Sequence, residues 1–439
     1  MWKRHRSQPL AHLRLALAAR CELSVMTIPK PMRLLAVVTL GFFCFLLLIF
    51  FRGPMTLNQP PREHVKLETW ERDPNLDRMD MNFFYMRIKL TIAVTGEPPE
   101  PLRRVKGNNY APDNPNSDRA NATLLSLVRN TELDDMLMSM RDLERTFNHK
   151  FNYPWLFLND QPFTEEFMNS VRKNTKAQVR FEQVPKEHWE VPSWINDDLY
   201  EESIRVLEEQ DVQYMGRRSY HQMCRWNSGM FYRHPALQDV RWYWRVEPHF
   251  HFFCDIDYDV FHWMEDHNKT YGFTINLYDN PESIASLWPE TQKFIADHSH
   301  YLHPNNAMKW LQDDNHRREN FVKANGYSTC HFWSNFEIAD MNFWRSQAYE
   351  DYFNHLDRAG GFFYERWGDA PVHSIALGLF EDAKKIHWFR DIGYQHIPFF
   401  NCPNSPKCHG CQAGRFTDGE DWLHKDDCRS VWFKYVGMG

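Results

Sequence analysis

Residues 122–184 read ATLLSLVRNTELDDMLMSMRDLERTFNHKFNYPWLFLNDQPFTEEFMNSVRKNTKAQVRFEQV, and the period of their apolar residues switches four times. ATLLSLVR is an apolar run with the length of a buried strand. Asn130-Thr131-Glu132 then opens a helix whose Leu133, Met136, Leu137, Met140, Leu143 and Phe147 recur at helical spacing. YPWLFLND is a second strand, PFTEEFMNSVRKN a second helix with Pro162 near its first turn, and AQVRFEQV alternates as a third strand. Strand, helix, strand, helix, strand predicts a parallel, doubly wound α/β sheet. Ligands of such sheets sit beyond the carboxyl ends of the strands, which makes Asn159-Asp160 one edge of a possible crevice.

Outward from this block the chain changes character. With 439 residues, 43% hydrophobic and 15% aromatic, it must bury a large core, so disorder, collagen and small disulfide scaffolds are excluded. With a net charge of −7, no nucleic-acid partner is expected. Residues 1–33 nevertheless carry seven cations and one anion. They precede LLAVVTLGFFCFLLLIFF, residues 34–51, which are 18 uncharged positions and about 27 Å of helix, enough to span a thin bilayer. The positive-inside rule puts the basic tail in the cytosol and everything after residue 51 in a lumen. A cleaved signal needs a small-residue cleavage site, and the following FFRGPMTL does not offer one. So short and Phe-rich a span suits an early secretory or Golgi membrane. Residues 52–117 are rich in Pro and Asn and read as a stem, which leaves 118–439 as the catalytic-size domain.

A lumenal address agrees with two glycosylation acceptors, Asn121-Ala-Thr and Asn268-Lys-Thr. Cys402, Cys408, Cys411 and Cys428 crowd the C-terminal tail. In a cytosolic protein they would read as a zinc site; in an oxidising lumen they read as disulfides. Seven cysteines follow the span, so at least one stays free or pairs between molecules.

Chemistry concentrates in SYHQMCRWNSGMFYRHP (219–235), WYWRVEPHFHFFCDIDYDVF (242–261), STCHFWSNFEIADMNFW (328–344) and FFYERWGDAPVHSIALGLF (362–380). Aromatic rings beside carboxylates suit a sugar pocket, because rings stack on the apolar faces of a pyranose while carboxylates accept from its hydroxyls. On pattern alone, Asp255-Ile-Asp257-Tyr-Asp259 reads equally as a metal-binding acidic run or as a strand with one polar face.

YHQMCRWNSG, WYWRVEP, FFCDIDYDVF, YGFTINLYDN, CHFWSNFEIADMNFWRS, GGFFYERWGDAPVHSIALGLF and DIGYQHIPFFNCP carry a resemblance. The region from about Asn121 to Pro403 is similar to the fungal GDP-mannose-dependent α-1,2-mannosyltransferases of glycosyltransferase family 15. The departures are the long extension before Met26, HFH after Glu247-Pro248, and the loop DDNHRRENFVKANG. The resemblance implies a GT-A-like doubly wound mixed sheet with flanking helices behind one membrane helix. It also implies a type II Golgi enzyme that moves mannose, with retention, from GDP-mannose to mannosylated N- or O-glycans of glycoproteins. A sugar-binding protein that lost turnover, or a transferase with another donor or linkage, is the alternative.

The resemblance further implies Mn2+ held by Glu247 and His396, with Asp255 and Asp257 in reserve. A divalent cation offsets the charge that builds on a departing nucleoside diphosphate, and oxygen ligands with an imidazole suit manganese. Glu337 is the implied nucleophile or electrostatic stabiliser, and Tyr220 the tyrosine close to the reaction centre. Asp369 and Arg366 line the donor or acceptor pocket, near a hydroxyl and the phosphates respectively. From its place before Pro371 and an apolar run, Asp369 also reads as a helix N-cap, and His373, one turn on, as a packed histidine.

Overall fold

The computed structural model describes residues 100, 103–105, 110 and 119–438. The expected tail at 1–33 and span at 34–51, and nearly all of the stem at 52–117, lie outside them. No helix among the described residues is long and apolar enough to cross a membrane.

The opening block folds as its periods require. β1 (Ala122–Leu127), β2 (Trp155–Asn159) and β3 (Val179–Gln183) are parallel neighbours. Between them run the helices Leu133–Leu143 and Glu165–Lys173. Thr164 caps the second helix by accepting from the Phe167 amide, so Pro162 lies before the cap rather than in the first turn. Alternate residues of β2 serve opposite faces of the sheet. Trp155 and Phe157 enter one apolar cluster, Leu156 and Leu158 the other, which is how a central strand comes to read as a continuous apolar run.

Four more strands complete a seven-stranded sheet: β4 (Trp242–Arg245), β6 (Tyr271–Phe273), β9 (Ile338–Asp340) and β10 (Ile386–Trp388). The order is β10-β6-β9-β4-β1-β2-β3. β9 runs antiparallel to both β4 and β6, so the sheet is mixed, with the expected parallel block on one side. This reversal matters for chemistry, since the amino end of β9 meets the carboxyl end of β4. The Arg245 amide donates to the carbonyl of Glu337, the residue just before β9.

β5 (Phe250–Phe252), β11 (Tyr394–His396) and β12 (Phe399–Asn401) form a small antiparallel sheet, with His396 opposite Phe250. β7 (Asn276–Tyr278) pairs with β8 (Cys330–Phe332). The helix Asp369–Phe380 is buried on all sides apart from its last residue, as its almost unbroken apolar sequence demands. It packs between β8 and the helix Arg218–Gly229.

Among the described residues, three disulfides, Cys254–Cys408, Cys330–Cys428 and Cys402–Cys411, leave Cys224 buried and free. The tail cysteines therefore do not converge on a metal. Asn121 and Asn268 are both exposed.

Candidate active site

Tyr243, Arg245 and Glu247 stand at alternate positions along the carboxyl end of β4 and the residues that follow it, so they share a side. Arg245 is the hub. Its Nε donates to Glu247 Oε1 at 2.7 Å, its Nη1 to Asp369 Oδ2 at 2.5 Å, and Nη1 lies 4.0 Å from Glu337 Oε1. Burial of the guanidinium disfavours its charge, but Glu247, Asp369 and Glu337 outweigh that and hold its proton more tightly than usual. Burial also acts against ionisation of Asp369. Arg245, His373 and a 2.7 Å hydrogen bond from Ser334 Oγ nevertheless keep its carboxyl below the ordinary range. Asp369 is not a cap: Gly368 occupies that position, and the aspartate is the first helical residue with its carboxylate turned to Arg245.

Glu337 is almost fully enclosed. Its Oε1 accepts from Tyr243 at 2.8 Å, while Oε2 faces Tyr271 at 3.2 Å and His373 Nδ1 at 3.1 Å. Glu247 is more open, with 26% of its side chain exposed. Partial burial lifts its carboxyl above the usual range against the pull of Arg245.

Tyr220 sits in the first turn of the helix Arg218–Gly229 and stacks on Tyr214 at 4.8 Å. The Arg366 guanidinium lies 5.8 Å from the centre of its ring. Burial pushes the Tyr220 hydroxyl well up, so it stays a neutral donor. Arg366 donates to Ser283 Oγ at 2.9 Å and approaches Asp279 at 3.4 Å. Its buried Nε has no protein partner among the described residues.

His396 completes the set from β11. Burial, with His249 and Arg245 nearby, lowers its ring to about 4, so it is neutral near pH 7. Its Nδ1 lies 3.2 Å from the Ile397 carbonyl, which cannot donate. The proton is therefore on Nδ1 and the Nε2 lone pair is free to ligate. By donor chemistry, the Glu247 carboxylate and this nitrogen are the residues that would hold a hard divalent cation such as Mn2+. No group of three or more His, Cys, Asp or Glu among the described residues is placed to hold a metal ion by itself.

Two carboxylates of the acidic run have structural partners. Asp257 bridges Lys150 at 2.6 Å and Lys407 at 2.7 Å, and the two lysines lower its carboxyl to about 2. Asp259 caps the helix Val260–Asp266 and accepts from Tyr153 at 2.7 Å. The histidines of HFH pair with carboxylates of the helix Leu133–Leu143, His249 with Asp135 at 3.2 Å and His251 with Asp142 at 2.9 Å. Asn159-Asp160 ends β2, two strands from β4 on the same carboxyl edge of the sheet. Arg245, Tyr243, Tyr271, Ser334 and the contact of His373 with Glu337 were not anticipated. For Arg245 there was a signal: one cation in an aromatic strand, two residues before a candidate carboxylate.

Comparisons with known proteins give the chain its relatives. The profile of the glycolipid 2-alpha-mannosyltransferases matches residues 80–437. The probable mannosyltransferase KTR4 of Saccharomyces cerevisiae is 44% identical over 328 residues, which cover 73% of this chain and 70% of the relative. The O-glycoside alpha-1,2-mannosyltransferase omh1 of Schizosaccharomyces pombe is 47% identical over 308 residues, 69% of this chain and 77% of that one. Among solved structures, core-mannan synthase A of Aspergillus fumigatus, in a Mn/GDP form, superposes with a TM-score of 0.73 at 62% identity. The match covers 79% of this chain and 93% of that one. Ktr4p of S. cerevisiae in complex with GDP gives 0.75 at 40% identity, covering 84% and 94%. Fold and sequence together define a glycosyltransferase with a mixed central sheet. The chain belongs to the glycolipid 2-alpha-mannosyltransferase family.

Proposed function

We propose that this protein is a GDP-mannose-dependent α-1,2-mannosyltransferase that extends mannosylated glycans of glycoproteins with retention of configuration. The observation that carries the reading is the cluster in which Arg245 gathers Glu247, Asp369 and Glu337 at the carboxyl end of β4. It stands in a chain 62% identical to a protein solved with Mn and GDP. Glu247 and His396 hold the Mn2+, which when bound offsets the charge growing on the diphosphate as the sugar departs. Arg366, with its unpartnered Nε, orients the phosphates. Asp369 uses Oδ2 for Arg245 and Ser334 and keeps Oδ1 for a mannose hydroxyl. The neutral Tyr220 hydroxyl positions a phosphate or acceptor oxygen. Glu337 places negative charge beside the sugar as it gains oxocarbenium character.

The same proposal puts the enzyme in the Golgi, anchored by residues 34–51 with a stem to residue 117 and its catalytic domain in the lumen. Three disulfides and the exposed Asn121 and Asn268 support an oxidising, glycosylating compartment.

The test uses full-length protein in detergent, GDP-mannose and methyl α-mannoside. An α-1,2 dimannoside should form with Mn2+, vanish with EDTA, and be lost in His396→Ala and Glu337→Ala. Absence of product with every mannosyl acceptor tried, while GDP-mannose still binds, would point to a sugar-binding protein without turnover.

A further inference from the structure

His373 lies fully buried in the helix Asp369–Phe380, and both of its ring nitrogens are engaged. Nε2 is 3.0 Å from the Asn227 carbonyl oxygen and Nδ1 is 3.1 Å from Glu337 Oε2. A carbonyl only accepts, so Nε2 carries a proton. Were the ring neutral with that tautomer, the Nδ1 lone pair would point at a carboxylate oxygen, acceptor against acceptor. A second proton must lie between Nδ1 and Oε2.

The surroundings decide which atom owns it. Glu337 also accepts from the Tyr243 and Tyr271 hydroxyls, and Arg245 Nη1 stands 4.0 Å from its Oε1. Donors and a cation favour the carboxylate over the acid. Around this point β4 contributes Tyr243 and Arg245, β6 contributes Tyr271, and the histidine's own helix contributes Asp369 one turn earlier. The rings of Trp344, stacked at 4.1 Å, Phe231 and Tyr349 also flank it. Three carboxylates therefore share one guanidinium, and a second cation is wanted where His373 stands.

We propose that His373 is a positioning residue, an imidazolium protonated on both nitrogens, which holds Glu337 as an ionised and immobile carboxylate. Through Asn227 it also ties Glu337 to the helix that carries Tyr220. Glu337 then acts by its fixed charge. Forming a bond from it to the sugar would mean giving up contacts from Tyr243, Tyr271 and His373. The protonation state stands on the geometry alone, and its effect on turnover rests on the function proposed above.

The experiment labels full-length protein with 15N-histidine and reads the His373 ring by NMR at pH 7.5, identified by its loss in His373→Gln. Both nitrogens should resonate as protonated, and Glu337→Gln should convert the ring to a neutral tautomer. That conversion also identifies the signal if His373→Gln does not fold. In turnover, His373→Gln should lower kcat about 10²-fold, the scale of removing one preorganised electrostatic contact, with binding of GDP-mannose changed less than about twofold. A neutral His373 in the unaltered protein, or equal kcat in His373→Gln, would overturn the proposal. Absence of transfer by the unaltered enzyme would instead refute the proposed function and leave the NMR result standing.

Discussion

Arg245 touches two carboxylates and lies 4.0 Å from a third, so its loss exposes them to one another as well as to a dry environment. Arg245→Met should destabilise the fold by about 3–5 kcal/mol, the scale for leaving buried charge uncompensated. Urea unfolding would measure it. Activity should vanish even under conditions where the variant remains folded. A destabilisation below about 1 kcal/mol would mean that the carboxylates protonate and do not need the guanidinium. At this scale the sequence was informative about residue types and poor about their partners. Glu247, Glu337 and Asp369 stood out because each interrupts an aromatic or apolar run with a carboxylate. The partners of Glu337 come from β4, β6 and a helix more than 30 residues further along the chain, and no local pattern brings those together. His373 read as packed because packing and hydrogen bonding look alike in one apolar helix. Asp257 shows how an alternation that reads equally as ligands or as a polar strand face is decided by distant residues, since its carboxylate bridges lysines from two separate segments.

At the scale of elements, the parallel block was legible because each unit signals its own period: β1 to β3 as apolar or alternating runs, the helices as stripes with a cap at Thr164. β9 was not. It is three residues long and its direction depends on which neighbours it meets, yet that direction is what carries Glu337 to Arg245. The helix Arg218–Gly229 poses a different requirement. It ends on Gly229, where an added Cβ would come within 2.2 Å of the Phe353 ring. Gly229→Ala should cost about 1–3 kcal/mol through overpacking, and should disturb Tyr220 at the other end of the helix if the strain is relieved by sliding. Pairing it with Phe353→Leu should restore part of the stability in thermal unfolding. No recovery in the double variant would mean that the clash is relieved elsewhere.

For the whole molecule, the cysteines determine how the C-terminal tail is held. Cys330–Cys428 spans 98 residues and Cys254–Cys408 spans 154, so the tail is fastened to the body at two places. Replacing Cys330 and Cys428 by Ser should lower stability by about 2–5 kcal/mol. The same measurement on Cys402→Ser with Cys411→Ser, which closes only a 9-residue separation, should show a smaller loss. Equal losses would place the effect in native packing around the sulfurs and not in the constraint on the unfolded chain.

This wiring also sets an order of events during synthesis. Cys254 emerges 154 residues before its partner, a wait of roughly 8–30 s at 5–20 residues per second. Cys330 waits as well, for a partner 98 residues further on. A chain cut before residue 400 would keep Cys254 and Cys330 as thiols beside the free Cys224, so a titration of accessible sulfur after denaturation would tell it from the fully paired protein.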